Sequence, residues 1–397
     1  MRIGFVIPYF YPAMGYGGTP RIAYEMARAL ARRSHQVQVL TTDSGGHNRI
    51  PADVISEIQK NGLDGIQVRY YGNVSSDLAY RHRLFFPPRF FFDVKQRLFE
   101  NDIVHIHDLR SFLAVAAHSA LCSLEKPYVL SPHGGLQHLG KKPAKAVFDL
   151  LWGKAILRDA AALCAVSPAE ERDAMMFGIG PERIHRCASA IDANHFSDLP
   201  RRGEFAARWR INERQIVLFL GRLHWVKGVD ILIEAIDLLK ELPNLHLVIA
   251  GPDDGAERKL RSLATEKGLN GRITFTGFLN DTQKTQALVD SHVVVVPSRS
   301  EGFPLALLEG LACGRPVIVS SACDLGDWMP RNPAWSTFRS GDAPDLARQL
   351  RAIWGKSSDH QSLLEARHLV LKDFSADALA ARAEALYESL LKAPTLV

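Results

Sequence analysis

Two fixed cations, Arg222 and Lys227, stand in one short segment bounded by glycines. The segment reads Gly221-Arg-Leu-His-Trp-Val-Lys-Gly228 and follows an apolar run. Arginine offers a planar fork of donors and lysine a point charge, so together they suit the two phosphates of a nucleoside diphosphate. Taken alone, the segment would favour the alternative of a pair of solvated surface cations.

Two carboxylates, Glu301 and Glu309, stand eight positions apart in a second segment, Ser300-Glu-Gly-Phe-Pro-Leu-Ala-Leu-Leu-Glu309. Carboxylates accept hydrogen bonds from neighbouring hydroxyls, as a sugar or ribose presents them. The alternative is a carboxylate at a helix N-terminus, favoured by the helix dipole, plus an exposed Glu309. The leucines around Glu309 favour a buried position for it instead.

A third segment, residues 8–19, places Gly15, Gly17 and Gly18 between a strand and a helix that we expect Thr19 to cap. Glycine lets the backbone approach a ligand, and a helix N-terminus offers unpaired N–H groups to an anion. A dinucleotide fingerprint needs a glycine three positions after Gly17, where this chain has Pro20. This argues against a nicotinamide dehydrogenase, while a plain tight turn stays open.

The elements that position these segments alternate between strand and helix patterns nearly throughout, which predicts parallel sheets flanked by helices. The pattern restarts after a polar, arginine-rich stretch. We therefore predict an N-terminal Rossmann-like domain at 1–192, a linker at 193–214, and a second Rossmann-like domain at 215–375. A helix-forming segment at 376–397 is expected to cross back to the first domain. Because ligands bind beyond the carboxyl ends of parallel strands, the two lobes are expected to face each other across a cleft.

Composition agrees with a two-lobed globular chain: 397 residues, 47% apolar and 23% charged. The net charge of +5 lies in the first half, where 23 Lys and Arg oppose 18 Asp and Glu, against 25 and 25 from residue 198 onwards. So modest a surplus, without basic runs, argues against a nucleic-acid partner. The opening residues are interpreted as a strand rather than a secretory signal, and no apolar run approaches the ~18 residues of a membrane span.

The five cysteines contain no Cys-x-x-Cys pair. We interpret them as reduced, mostly buried thiols, which predicts a cytoplasmic protein. One segment, residues 81–92, mixes arginines with five phenylalanines and suits contact with anionic lipid. Because Phe90, Val94 and Leu98 share a helical face, core packing is the favoured alternative.

Taken together, the motifs resemble the retaining glycosyltransferases of family 4, which have the two-domain GT-B fold. The resemblance covers nearly the whole chain. It rests on the segments Gly221–Gly228 and Ser300–Glu309 and on four more blocks: Gly17-Gly18, Asp102-Ile-Val-His-Ile-His107, Pro132-His-Gly-Gly135 and Phe275-Thr-Gly277.

The resemblance implies a role for each site residue. Arg222 and Lys227 neutralise the leaving diphosphate, beside Gly221 and bordered by Gly17 and Gly18. Glu309 holds the ribose. The donor sugar is held by Glu301 with Gly302, Phe303, Pro304 and Leu305. His133 approaches that sugar from the first lobe. His107, which ends a predicted strand, is expected to be a packed core histidine.

The implied enzyme is a retaining hexosyltransferase of polysaccharide biosynthesis that uses a nucleotide-sugar donor and a glycan or lipid-linked acceptor. No Asp-x-Asp triplet is present to hold a metal, so we predict no metal and no cofactor, with Arg222 and Lys227 in the metal's place. A peripheral contact with the inner membrane face is part of this expectation. Three alternatives share the architecture: a nucleotide-sugar epimerase, a phosphorylase and a non-catalytic nucleotide-sugar-binding protein.

Overall fold

The computed structural model describes residues 1–13, 16–46, 48–136, 142–211, 214–242, 244–354 and 359–392. Gly15 of the first glycine segment lies outside the described residues. The chain divides into two compact units. The first comprises Met1–Ser189 together with the C-terminal segment that begins at Ala376, and the second comprises Ala190–Ser375.

The first unit is built on seven parallel strands. They are β1 (Arg2–Val6), β2 (Gln36–Thr42), β3 (Ile66–Tyr71), β4 (Ile103–His107), β5 (Tyr128–Ser131), β6 (Ala162–Ala165) and β7 (Ile184–Arg186). The helices between them are α1 (Gly18–Arg32), α2 (Ala52–Asn61), α3 (Ser76–His82), α4 (Pro88–Phe99), α5 (Phe112–Ser123), α6 (Lys142–Phe148), α7 (Lys154–Asp159) and α8 (Pro168–Met176). The strand order is β3-β2-β1-β4-β5-β6-β7.

The second unit is built on six parallel strands. They are β8 (Gln215–Leu220), β9 (Leu245–Ala250), β10 (Ile273–Gly277), β11 (Ser291–Val296), β12 (Val317–Ser320) and β13 (Trp335–Phe338). The helices are α9 (Glu204–Trp209), α10 (Val229–Asp237), α11 (Glu257–Glu266), α12 (Asp281–Asp290), α13 (Leu305–Ala312), α14 (Ala343–Ile353) and α15 (His360–Asp373). The strand order is β10-β9-β8-β11-β12-β13. Two doubly wound parallel sheets confirm the predicted fold class.

The strands form where apolar residues follow one another without alternation. All six residues of β9 are buried, as are five of the six in β11, whose sequence is Ser-His-Val-Val-Val-Val. Helices cover both faces of such a sheet, so neither side of the strand faces solvent. Apolar residues therefore do not need to alternate with polar ones.

Two local predictions are corrected by the structure. Thr19 does not cap α1, because the helix already begins at Gly18. Gly17 occupies the N-cap position at φ 104°, without a side-chain hydrogen bond. The segment predicted as a linker, 193–214, lies within the second unit and contains α9. The Asp290 carboxylate, at the end of α12, ties the segment to that helix by accepting the N–H groups of Gly203 and Ala206 at 2.5 and 2.8 Å.

The C-terminal helix α16 (Ala376–Lys392) packs against α1 in the first unit. Arg32 pairs with Asp377 at 2.8 Å, and the His35 ring lies 2.9 Å from Glu384. Deeper in the unit, the Tyr387 hydroxyl lies 2.6 Å from Nδ1 of His105, and both side chains are buried. The last helix therefore completes the core around the first sheet.

The aromatic segment 81–92 separates into buried and exposed side chains. Phe90 is fully buried with Val94 and Leu98 on one face of α4, which confirms the core interpretation for that face. Phe92, by contrast, is 90% exposed. Among the described residues, no helix combines the length and the apolar character needed to cross a bilayer.

The hydrogen bond between Tyr387 and His105 yields the first prediction. The other ring nitrogen of His105 bonds Ser131 Oγ at 2.7 Å, and burial lowers the pKa of the ring to about 3, so it is neutral and uses both nitrogens. Tyr387→Phe leaves one of them unpaired in the core. We expect the first unit to lose about 1 to 3 kcal/mol of unfolding free energy in urea titrations.

The matched control is Tyr11→Phe, because within the described part of the chain no hydrogen bond involves the Tyr11 hydroxyl. Equal urea midpoints for the two variants would show that the buried contact contributes nothing.

Candidate functional site

In the second unit, both predicted binding segments lie where the strand order reverses. β8 pairs with β9 on one side and with β11 on the other. The segment Gly221–Gly228 follows β8, and the segment that contains Glu301 follows β11. Ligands of open parallel sheets bind at such a reversal, because the flanking helices run to opposite faces and leave a crevice. The structure thus brings two segments that are distant in sequence to the ends of neighbouring strands.

Glycine allows the first segment to fold tightly. Gly228 has φ 66°, and a β-carbon there would lie 2.1 Å from the carbonyl oxygen of Pro297. The backbone of this segment therefore packs directly on the backbone that follows β11. His224 adds a side-chain cap by accepting the N–H of Val226 at 3.3 Å, which begins the short 3₁₀ turn Trp225–Lys227. Lys227 is held by a folded turn rather than a mobile loop.

Lys227 and Glu301 are in direct contact. The ammonium donates to Oε2 of Glu301, and Ser298 Oγ donates to the same oxygen at 3.0 Å. Both side chains are about one-fifth exposed, at 21% and 20%. The sequence predicted both residues as donor-binding groups but did not predict that they bond each other.

Arg222 has a carboxylate partner that the sequence analysis missed. Its guanidinium pairs with Asp254, in the loop after β9. Each predicted phosphate-binding cation thus has an acidic neighbour, which offsets the cost of partly burying its positive charge. Incoming phosphate oxygens can add to these pairs or displace the carboxylates.

Glu309 is buried on α13 and pairs with Lys284 of α12 at 2.7 Å. Lys284 also lies 3.1 Å from Asp281, one turn earlier on its own helix. The exposed alternative for Glu309 is therefore wrong. The sequence analysis missed Lys284, since nothing in the local pattern of α12 indicates a partner on another helix.

The residues between the two glutamates form the start of α13. Pro304 is the N-cap residue, and no side chain among the described residues caps the helix. Phe303 is buried and stacks on Phe374 with ring centroids 5.4 Å apart. Its ring thus anchors the loop in the core. Gly302 precedes Phe303 in this loop, and Leu305 is the first residue of α13.

In the first unit, His133 follows β5 and touches His107, the last residue of β4. His107 Nδ1 and His133 Nε2 lie 2.9 Å apart, and the rings of His107 and His105 stack at 4.2 Å. Burial lowers the pKa of His133 to about 4 and that of His107 well below its usual value. His133 is therefore a neutral imidazole at neutral pH. His107 is 1% exposed, which confirms the prediction of a core histidine.

Glu170 holds the His133 loop, and the sequence analysis missed it. His133 and Gly134 both have left-handed backbones, at φ 52° and 78°. The buried Glu170 carboxylate accepts the Gly134 N–H at 2.6 Å and the Val166 N–H at 3.0 Å. Burial raises its pKa to about 7. The pattern Ser167-x-x-Glu170 could have indicated the start of α8 but not this contact with the loop.

Gly17 and Gly18 follow β1, which pairs with β4 at the strand-order reversal of the first sheet. The positive φ of Gly17 turns the chain into α1 there. Nearby, Tyr9 and Tyr16 stack at 4.4 Å, and the Arg83 guanidinium lies over both rings. The first unit thus presents its glycine pair at the equivalent point of its own sheet.

Comparison with known proteins identifies the family. A model described as "Glycosyltransferase Family 4" matches residues 16–195, and one described as "Glycosyl transferases group 1" matches residues 202–354. An uncharacterized glycosyltransferase of Methanocaldococcus jannaschii is 26% identical in an alignment that covers 85% of this chain and 88% of that protein. A D-inositol 3-phosphate glycosyltransferase of Xylanimonas cellulosilytica is 26% identical over 77% of this chain and 75% of its own.

Among solved structures, the Anabaena protein HepE in complex with UDP superimposes with a TM-score of 0.78 at 18% identity, covering 98% of this chain and 100% of that one. A likeness at this identity shows the fold. The two family models cover consecutive parts of the chain that together make up most of its length. Sequence family and fold therefore identify this chain as a GT-B glycosyltransferase of the group 1 and family 4 type.

Proposed function

We propose that the protein is a retaining, metal-independent glycosyltransferase that moves a hexose from a nucleoside-diphosphate donor to a glycan or lipid-linked acceptor. The observation that carries this proposal is the contact of Lys227 with Glu301 beside the strand-order reversal of the second sheet, with Arg222 on the same segment as Lys227. HepE, a structural neighbour, has been solved with UDP and with UDP-glucose, which supports a nucleotide-sugar donor.

The leaving diphosphate accounts for the two cations. As the bond from the sugar C1 to the phosphate oxygen breaks, negative charge grows on that oxygen. Donors already aimed at the charge stabilise it without reorganising during the reaction. Lys227 on its 3₁₀ turn and Arg222 beside Asp254 are held in this way. We therefore assign to them the stabilisation that a metal ion supplies in other sugar transferases.

Retention follows from displacement on one face of the sugar. The acceptor oxygen bonds to C1 on the side from which the diphosphate departs, and its proton passes to a phosphate oxygen. Glu301, engaged by Lys227 and Ser298, then accepts hydrogen bonds from donor-sugar hydroxyls rather than attacking C1. Glu309 accepts from the ribose hydroxyls. In the first unit, neutral His133 hydrogen-bonds a substrate hydroxyl.

Acceptor and location complete the proposal. A role in polysaccharide assembly, in the cytoplasm and in peripheral contact with the inner membrane face, suits a glycan or lipid-linked acceptor. The exposed Phe92 beside Arg89 is the feature of segment 81–92 that supports membrane contact.

The direct test incubates the protein with a panel of nucleotide sugars, with and without acceptors, and follows the anomeric configuration by NMR. We expect nucleoside diphosphate release and a product with the donor's configuration, unchanged in the presence of chelator. Inversion would exclude the retaining mechanism, and strict dependence on Mg²⁺ or Mn²⁺ would exclude the role of the two cations. Binding without turnover across the panel would favour the non-catalytic alternative.

A second prediction concerns Lys227. Because its charge acts on the departing diphosphate, Lys227→Ala should lower kcat by about 100- to 1,000-fold, the range for loss of one oxyanion donor. Steady-state kinetics with the donor that the panel identifies measures this. Lys267→Ala, which removes a lysine 3.5 Å from Asp237 in the same unit, is the control and should leave kcat unchanged. A rise in KM with kcat intact would mean that Lys227 binds substrate and transition state equally.

A third prediction separates ribose binding from structure at Glu309. Glu309→Gln should weaken nucleoside diphosphate binding by about 1 to 3 kcal/mol in calorimetry, as expected for a lost charged hydrogen bond. Lys284→Gln breaks the same ion pair from its other end and leaves the carboxylate in place. If both variants lose affinity equally, the pair is structural and Glu309 does not contact the ribose.

A further inference from the structure

Three metal-ligand side chains converge on the first unit at a place that the proposed transfer reaction does not use. His118 and Cys122 stand one helical turn apart on α5, and Asp159 ends α7. Nε2 of His118 lies 3.0 Å from Oδ2 of Asp159 and 3.3 Å from Sγ of Cys122. All three ligand atoms lie within 4.8 Å of one another.

The use of a single ring nitrogen distinguishes this cluster from a nucleophilic triad. In a triad the histidine bonds the nucleophile through one nitrogen and the carboxylate through the other. Here both partners approach Nε2. Three ligand atoms that share one point in space have the geometry of a cation site rather than of a proton relay.

We propose that His118, Cys122 and Asp159 bind Zn²⁺. Imidazole, thiolate and carboxylate are the three ligand types that zinc takes, at about 2.0–2.3 Å. Tetrahedral geometry with those bond lengths separates neighbouring ligands by roughly 3.3 to 3.6 Å. The spacings from Nε2 to Oδ2 and from Nε2 to Sγ need to open by only a few tenths of an ångström, and water fills the fourth position.

The surroundings allow the ion to reach the site. Cys122 is exposed, and the edge-on contact of the His118 ring with Tyr128, at 6.0 Å, fixes the ring's orientation. Arg158 opposes binding, since its guanidinium also pairs with Asp159. Its Nε donates a hydrogen bond to Oδ1 at 2.7 Å. Oδ2, the oxygen that faces His118, accepts only the longer bond from Nη2, at 3.3 Å. One carboxylate oxygen therefore stays available to the metal.

The zinc site lies apart from His133 along the same sheet. Cys122 and Asp159 lie shortly before β5 and β6 begin, whereas His133 follows the end of β5. The site is thus near the amino-terminal ends of the strands, whereas His133 is at a carboxyl end. The effect of the site is to tie α5 to the end of α7. It does not rest on the proposed transferase function.

The test uses the full chain without a polyhistidine tag, stripped with chelator and then freed of it. Zn²⁺ is titrated in by calorimetry, and Co²⁺ is used as a spectroscopic probe. We expect one Zn²⁺ per chain, a raised thermal midpoint, and a thiolate-to-Co²⁺ charge-transfer band. Cys122→Ser and Asp159→Asn should each weaken Zn²⁺ binding by more than about 100-fold, beyond the loss of an outer-shell partner.

His360→Asn, at an exposed histidine of the second unit, is the matched control and should bind as the wild type does. Thermal midpoints of the metal-free variants equal to that of the metal-free wild type show that each variant is folded. Less than one Zn²⁺ per chain, no charge-transfer band, or unchanged affinity in Cys122→Ser and Asp159→Asn would overturn the proposal.

Discussion

Parallel strand pairing is the constraint on which the rest of this structure depends. In a parallel sheet every strand ends at the same edge, and each crossover helix must return along one face. Where the strand order reverses, the helices leave on opposite faces and their N-terminal loops diverge. Both units have such a point, between β1 and β4 and between β8 and β11. The segments that carry candidate chemistry follow these strands or their neighbours.

The second unit balances its charges within the site. Lys227 pairs with Glu301, Arg222 with Asp254, and Lys284 with Glu309. A partly buried charge is costly unless a partner of opposite sign lies near it, and the partner also restricts its rotamers. The side chains are therefore oriented before any substrate binds. Under the proposed function, the phosphate and hydroxyl oxygens of the nucleotide-sugar donor replace contacts that the cations and carboxylates already make with each other.

The first unit achieves order by a different route. His105, His107 and His133 are stacked and neutral, because burial lowers the pKa of each ring. The loop that carries His133 is fixed by the Gly134 N–H, which donates to Glu170. A neutral imidazole can donate or accept a hydrogen bond to a substrate hydroxyl without adding positive charge. The candidate residues of the second unit are thus charged pairs, whereas those of the first unit are a neutral imidazole and glycine backbone.

The sequence by itself determined the strand and helix alternation, the two-sheet fold and the segments that follow strands. These depend on local physics: runs such as Val293–Val296 have no polar face to expose, so they belong in a sheet covered on both sides. The family motifs then located Arg222, Lys227, Glu301 and Glu309 on loops and a helix after such runs.

Only the tertiary structure decided which side chains meet. Asp254, Lys284 and Glu170 reach their partners from other loops or helices, and α16 returns from the end of the chain to place Tyr387 against His105. Such contacts depend on strand register and on how crossover helices pack, which no local pattern encodes. The same holds for His118, Cys122 and Asp159, which the sequence did not indicate as metal ligands: the first two stand one turn apart on α5, and Asp159 reaches them only when α7 packs nearby.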